Sequence, residues 1–357
     1  MRPPPARGLV VLVAGLLLAA SAPPGAAQEE AVESSIIAPL AAASLLLDGA
    51  AGGDLMMVVG ERGHVLVSLD QGATWQQRAV PTRATLTGVF LHDGSLGWAV
   101  GHDAVILRTR DGGETWELLY SAPEEERPLL DVWFHDAERG FAIGAYGYYL
   151  ETEDGGDTWF ERTITALDEP IAEDDPDAYE DGYEDAYEYG YDDEYDAGAD
   201  LHLNRASRSA SGKLYIAAEA GAVYRSDDDG ATWLALPSPY EGSFFGSLPL
   251  DGDSLLLFGL RGNLFRSDDA GETWSRIDTG TSAMLTDGAR LADGTVLVAG
   301  LAGVLLASHD GGTSFELVQQ ADRQGLAAVL PLAGGGVVLV GEHGVHTLPA
   351  AALAARP

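Results

Sequence analysis

Short apolar runs recur along the chain, each closing on a glycine and each followed by a polar turn that ends in one aromatic residue. The glycines are Gly60, Gly101, Gly144, Gly259, Gly300 and Gly341, with Ala218 in the fourth place. Fifteen residues after each of the first six places stands the aromatic end of an S/T-x-D-x-G-x-T-W motif. Its Asp and aromatic positions are Asp70 and Trp75, Asp111 and Trp116, Asp154 and Trp159, Asp228 and Trp233, Asp269 and Trp274, and the weaker Asp310 and Phe315. Runs this short, bounded by Gly, Asp, Ser and Thr, predict strands and tight turns.

The aromatics are spaced 41, 43, 74, 41 and 41 residues apart, and Gly341 continues the series 41 residues past Gly300. The chain stops before another motif can follow, which makes seven units with the last truncated. A unit of about 41 residues with four short strands is one propeller blade. The expected fold is therefore all-β, a seven-bladed propeller of four-stranded antiparallel blades over residues 28–348, with 349–357 as a tail. The motif has a mechanical reason. Its Asp accepts turn N–H groups, its Gly permits positive φ, and its Trp packs between neighbouring sheets.

These residues are those of the BNR or Asp-box repeat. The longer pattern, as in Trp98-Ala99-Val100-Gly101 leading to Arg110-Asp111-Gly112-Gly113-Glu114-Thr115-Trp116, resembles one branch of it, the photosynthesis-system-II assembly and stability factors. The resemblance covers residues 32 to 348 apart from one insertion. It implies a non-enzymatic extracytoplasmic propeller that helps assemble a membrane complex and uses an arginine-rich surface patch. Similar chains outside photosynthesis are associated with exporters of the resistance-nodulation-division type, which suggests that class of client.

With strands A to D in each unit, the Asp-box turn joins C to D. The last unit supplies only A, B and C, and the expected donor of its fourth strand is Val32 to Leu40, closing the ring. Strand alternation puts the Asp boxes on a lower face, and the B–C turns and D–A connections on an upper one. Upper-face positions expected to bind a partner are Arg62, Arg83, His102, Arg127, Tyr146, Asn204, Arg205, Tyr240, Glu241, Arg261, Asn263 and Arg323. Loops on a rigid scaffold are where binding usually resides. Six of these are arginines from different units, read as a patch for a carboxylate or chain terminus of a protein partner. The plainer reading is that each pairs with a local Asp or Glu.

Charge narrows the partner class: 56 acidic residues against 20 basic ones, of which only Lys213 is a lysine, repel a phosphate backbone and disfavour nucleic acid. There is no cysteine, so disulfides, thiolate zinc and a thiol nucleophile are excluded. Arg2 and Arg7, the apolar run Leu9 to Ala20 and the small residues ending at Ala27 read as an export signal over residues 1–27, cleaved after Ala27, which predicts a periplasmic or otherwise extracytoplasmic protein. An uncleaved anchor is the alternative, although about 12 apolar residues fall short of the roughly 20 that span a bilayer.

Between the third and fourth motifs, residues 168–200 hold 16 acidic residues, no Lys or Arg, and Tyr179, Tyr183, Tyr187, Tyr189, Tyr191 and Tyr195. Such a run is expected to be disordered. It reads as a tolerated solvating loop, a segment that folds back on the arginine patch, or a weak calcium binder. No cofactor is expected, and no metal, although among the Asp-box copies calcium is kept open at Asp227, Asp228 and Asp229. The rival class is a glycan-binding or sialidase-like propeller. Tyr240-Glu241 is its one candidate pair, set against the missing Arg-Ile-Pro start and a seventh unit where sialidases have six. The reading is a non-catalytic monomeric propeller whose partner is an integral membrane protein or its exposed segment.

Overall fold

The computed structural model describes residues 33–164, 166–167 and 201–354. The export-signal segment and the acidic run at 168–200 therefore lie outside the described residues. Seven antiparallel sheets follow one another along the chain, each a meander in sequence order. Their inner strands are Leu46–Gly52, Leu86–Leu91, Leu129–Phe134, Leu203–Arg208, Phe244–Pro249, Leu285–Arg290 and Leu326–Pro331. Each packs on the next, and the first meets the last, which closes a seven-bladed ring around a central channel.

The core is a set of seven apolar clusters, one between each pair of neighbouring blades. Trp75, Trp116, Trp159, Trp233, Trp274 and Phe315 each sit in one of six interfaces, as the motif predicts. No such aromatic reaches the interface between blades 6 and 7. There Leu353, from a 3₁₀ turn beyond the last strand, is 3% exposed and joins Leu297, Leu305, Val329 and Leu339.

The Asp boxes are built alike. In the first, Asp70 Oδ1 accepts from the Thr74 N–H at 2.8 Å and Oδ2 accepts from the Thr74 hydroxyl at 2.7 Å, while the Gly72 N–H donates to Ser68 Oγ at 2.8 Å. Gly72 has φ 78°, where a side chain is strained, and a Cβ there would lie 2.6 Å from Val338 of the adjoining blade. The Thr158 hydroxyl and N–H hold the Asp154 carboxyl down to about 2. The structural role of the Asp-box carboxylates thus has a direct geometric basis.

The repeat glycines have a different reason. Gly101 is extended, at φ −177°, but an added Cβ would lie 2.1 Å from the Thr85 carbonyl. That carbonyl accepts from the His102 N–H at 2.9 Å, so the approach is built into the junction between strand B and the inner strand. The same donation recurs in all seven blades, from Glu61, His102, Ala145, Glu219, Leu260, Leu301 and Glu342.

One expectation is corrected. Residues 33–40 form no strand, and the sheet of blade 7 keeps only Leu326–Pro331, Val337–Gly341 and Gly344–Leu348. The segment is instead pinned to the outer strand of blade 1. Ser35 N–H donates to the Val80 carbonyl at 2.8 Å, Gln77 Nε2 donates to the Ile36 carbonyl at 3.0 Å, and the Ala38 N–H donates to Gln77 Oε1 at 2.7 Å. Pro39 has no N–H to give a ladder, and Ala38, Ala41 and Ala42 are small enough to wedge between Val345 of blade 7 and Leu66 of blade 1. The ring is closed by this packing rather than by a shared strand.

Blade 4 has an addition: Ala166–Leu167 pairs in parallel with Trp233–Ala235 at the outer edge. The chain leaves the described residues from that edge and returns at Leu201, whose carbonyl accepts from the Gly147 N–H at 2.9 Å.

Candidate upper-face binding site

The B–C turns place their tips on the face where the inner strands begin. In six blades the tip residue is left-handed and is not glycine: Arg62, Asp103, Tyr146, Ala220, Arg261 and Ala302 have φ from 52° to 58°. An L-residue costs roughly 1 kcal/mol there. Four of the six are large or charged, the residue types that a binding face presents.

The six predicted arginines separate into two groups. Arg83 pairs with Glu33 at 2.8 Å and donates to the Ser34 carbonyl. Arg127 pairs with Glu125 at 2.7 Å and Glu161 at 2.8 Å, and its guanidinium lies 3.9 Å above the Tyr148 ring. Arg205 turns into the central channel, 2.9 Å from Asp48 and 3.8 Å from Asp287. For Arg83 and Arg127 the local-pairing reading holds, whereas Arg205 pairs with a buried carboxylate of another blade. Arg62 is 81% exposed with its nearest carboxylate, Glu61, at 3.9 Å. Arg261 and Arg323 are exposed, stand at φ 58° and 55°, and form no ion pair among the described residues.

The remaining predicted positions are also distributed unevenly. Tyr146 is 55% exposed and meets the His202 ring edge-on at 4.8 Å, and His102 is exposed on the blade 2 turn. Asn204 donates to the Phe244 carbonyl at 2.7 Å, tying blade 4 to blade 5. Asn263 is not available to a partner: it is 5% exposed, and its amide donates to the Leu260 carbonyl within its own turn. Tyr240 packs its ring against Phe244 at 6.1 Å while Glu241 is exposed, which leaves the pair without a shared site. Asp227 is engaged by Lys213 and Arg225, Asp229 by Arg208, and Asp228 by Thr232 of its own turn. Their carboxylates are thus already committed to cations and turn donors.

The sequence reading missed the channel. Asp48, Asp131 and Asp287 occupy one column of the repeat with Arg205, beside a bulge at the start of each inner strand. Each carboxylate reaches the next blade: Asp48 accepts from the Val89 N–H at 2.9 Å, Asp131 from the Ala206 N–H at 2.8 Å, and Asp287 from the Val329 N–H at 2.8 Å. Burial pushes the Asp131 carboxyl up to about 6 against the pull of Arg205, and it raises Asp287 as well. The detectable signal was the offset, since all four stand 12 or 13 residues before the repeat glycine or its Ala218 substitute.

Comparison with known proteins agrees with this architecture. A family model described as photosynthesis system II assembly factor YCF48 matches residues 40–124 and 119–173, and the BNR/Asp-box repeat matches residues 265–276. The chain is 43% identical over 54 residues to the photosystem II stability/assembly factor HCF136 of Cyanidioschyzon merolae, covering 15% of this chain and 12% of that protein. It is 44% identical over 43 residues to the photosystem II assembly protein Ycf48 of Thermosynechococcus vestitus, 12% of each. The matched stretches thus span about an eighth of either relative. A solved structure described as YCF48 bound to D1 peptide superposes with a TM-score of 0.63 at 19% identity, covering 90% of this chain and 95% of that one. At that identity the superposition speaks for the fold.

Proposed function

For a chain that belongs to the photosynthesis system II assembly factor-like family of BNR/Asp-box propellers, we propose a non-catalytic role outside the cytoplasm. It holds an exposed segment of an integral membrane protein while a membrane complex is assembled or stabilised, and a resistance-nodulation-division exporter is the proposed class of client. The observation that carries this reading is the family match across the first three blades, joined to an upper face where Arg261 and Arg323 form no ion pair among the described residues and Arg62 has only Glu61, at 3.9 Å. A related propeller has been seen with a peptide of another protein bound, which supports a peptide segment as the kind of ligand. The pattern of residues 1–27 supports the compartment.

Crosslinking in intact cells, then affinity capture and mass spectrometry, tests the reading. Wild type is compared with a charge reversal of Arg62, Arg261 and Arg323. Arg205 is left intact, because reversing it breaks the pair with Asp48. The expected result is one integral membrane protein, depleted at least tenfold in the variant. Capture of no membrane protein overturns the function, and a client indifferent to the three changes overturns the arginine face.

A further inference from the structure

Where the seven inner strands begin, the channel opens into a cup of about 300 Å³ lined by Leu47, Leu130, Phe245, Met284 and Ala327, with Thr87, Asn204 and Thr286 between them. All seven blades contribute to it. Its rim carries no charge in a chain of net charge −36, and its floor is Arg205, still 27% exposed. Only Nη2 of that guanidinium is engaged, by Asp48 at 2.9 Å and Asp287 at 3.8 Å; Nε and Nη1 make no hydrogen bond among the described residues.

These donors invite an acceptor, and the surroundings decide its charge. Asp48, Asp131 and Asp287 lie around the one guanidinium, and each is anchored to a backbone N–H of the next blade. A carboxylate entering the cup meets one cation and three acidic side chains in a partly desolvated space, where like charges repel more strongly than in water. A peptide carbonyl can take the same N–H groups without that repulsion. The apolar rim favours burial of a Leu- or Phe-sized side chain.

We infer that the channel mouth is a second contact for the client, which takes an apolar side chain together with a neutral backbone carbonyl and turns away a chain terminus. This rests on the client reading above but differs from the arginine tips in site and in chemistry.

The test uses the mature chain with ¹³C-methyl methionine, the Met284 signal being assigned with Met284→Leu. N-acetyl-leucinamide and N-acetyl-leucine are titrated separately at pH 7.5. The amide is expected to shift the Met284 methyl saturably and to bind about tenfold more tightly than the carboxylate, a difference of about 1.4 kcal/mol. Ala327→Trp, which fills the cup, abolishes the shift. Equal or tighter binding of the carboxylate, or no saturable shift with either probe, overturns the inference, and the ranking on wild type decides this even if the variant misfolds. Client capture separates the two proposals. A captured client with silent probes removes the cup alone, whereas probes that rank as expected with no client captured remove the client reading, and with it the cup's role as a client contact, but leave the cup's preference for a neutral carbonyl.

Discussion

Arg205 and Asp48 stand 157 residues apart in the chain and meet across the central channel at 2.9 Å, joining blade 4 to blade 1. Asp48 also holds the Val89 N–H of blade 2, so one carboxylate connects three blades. Asp48→Ala leaves a guanidinium and a buried N–H without their acceptor. The expected loss is about 3 kcal/mol in urea unfolding. Arg62→Ala, at an exposed tip, is expected to stay within about 0.5 kcal/mol.

The carboxyl of Asp131 gives stability a specific pH dependence. Its folded pKa, pushed up to about 6 chiefly by burial, lies above the unfolded value. The folded state therefore binds the extra proton between about pH 4 and 6, and stability falls as pH rises through that window, by up to about 3 kcal/mol. Asp154 has the opposite sign: its folded value of about 2 makes its contribution present above the unfolded pKa and lost as pH falls from about 4 towards 2. Denaturation across pH 3 to 8 is expected to show Asp131→Asn flattening the slope between 4 and 6 while leaving the acid limb in place.

The repeat glycines predict a sharp contrast between substitutions of one chemical type. Gly101→Ala puts a methyl 2.1 Å from the Thr85 carbonyl and is expected to cost about 1–3 kcal/mol, read as a fall in Tm. Gly94→Ala meets nothing within 4 Å and is expected to leave Tm unchanged. Blade 4 shows the accommodation such a change needs: Ala218, in the equivalent place, has φ −136° where Gly101 has −177°.

Leu353 fills the interface that no Asp-box aromatic reaches. Leu353→Ala is expected to cost about 2–4 kcal/mol, as for other buried leucines, and truncation after Leu348 at least as much. Thermal unfolding of both variants checks this.

Blade number, strand order and the role of the Asp boxes were legible because the motif repeats at a near-constant spacing, and each copy performs the same local task, as Asp70 and Thr74 show. The upper face was legible only as a list of positions. Sequence distinguishes neither Arg62, left exposed, from Arg127, held between Glu125 and Glu161, nor an accessible asparagine from Asn263, which bonds its own turn. Those outcomes depend on which carboxylate or carbonyl the fold brings near. The closing strand failed for a related reason: Val32 to Leu40 is apolar enough for a strand, but Gln77 and Val80 of blade 1 supply its hydrogen-bond partners. The acidic channel column escaped notice because Gly88, Gly246 and Ala328 interrupt it.

The three-stranded last blade bears on how the molecule is made. With no strand exchanged at the seam, the antiparallel meander of every sheet comes from residues near one another in sequence, and each blade can form as it emerges during synthesis. The contacts between the last blade and the start of the chain, such as Ala328 and Leu330 with Leu46 and Met56 and Val345 with Ala42, must wait for the whole chain. The entropy of bringing such distant ends together grows only as the logarithm of the intervening length. Docking of the ends is therefore expected to be the late folding event, and parting them the early one in unfolding. The seam between the first and last blades is then where backbone amides should first exchange with solvent.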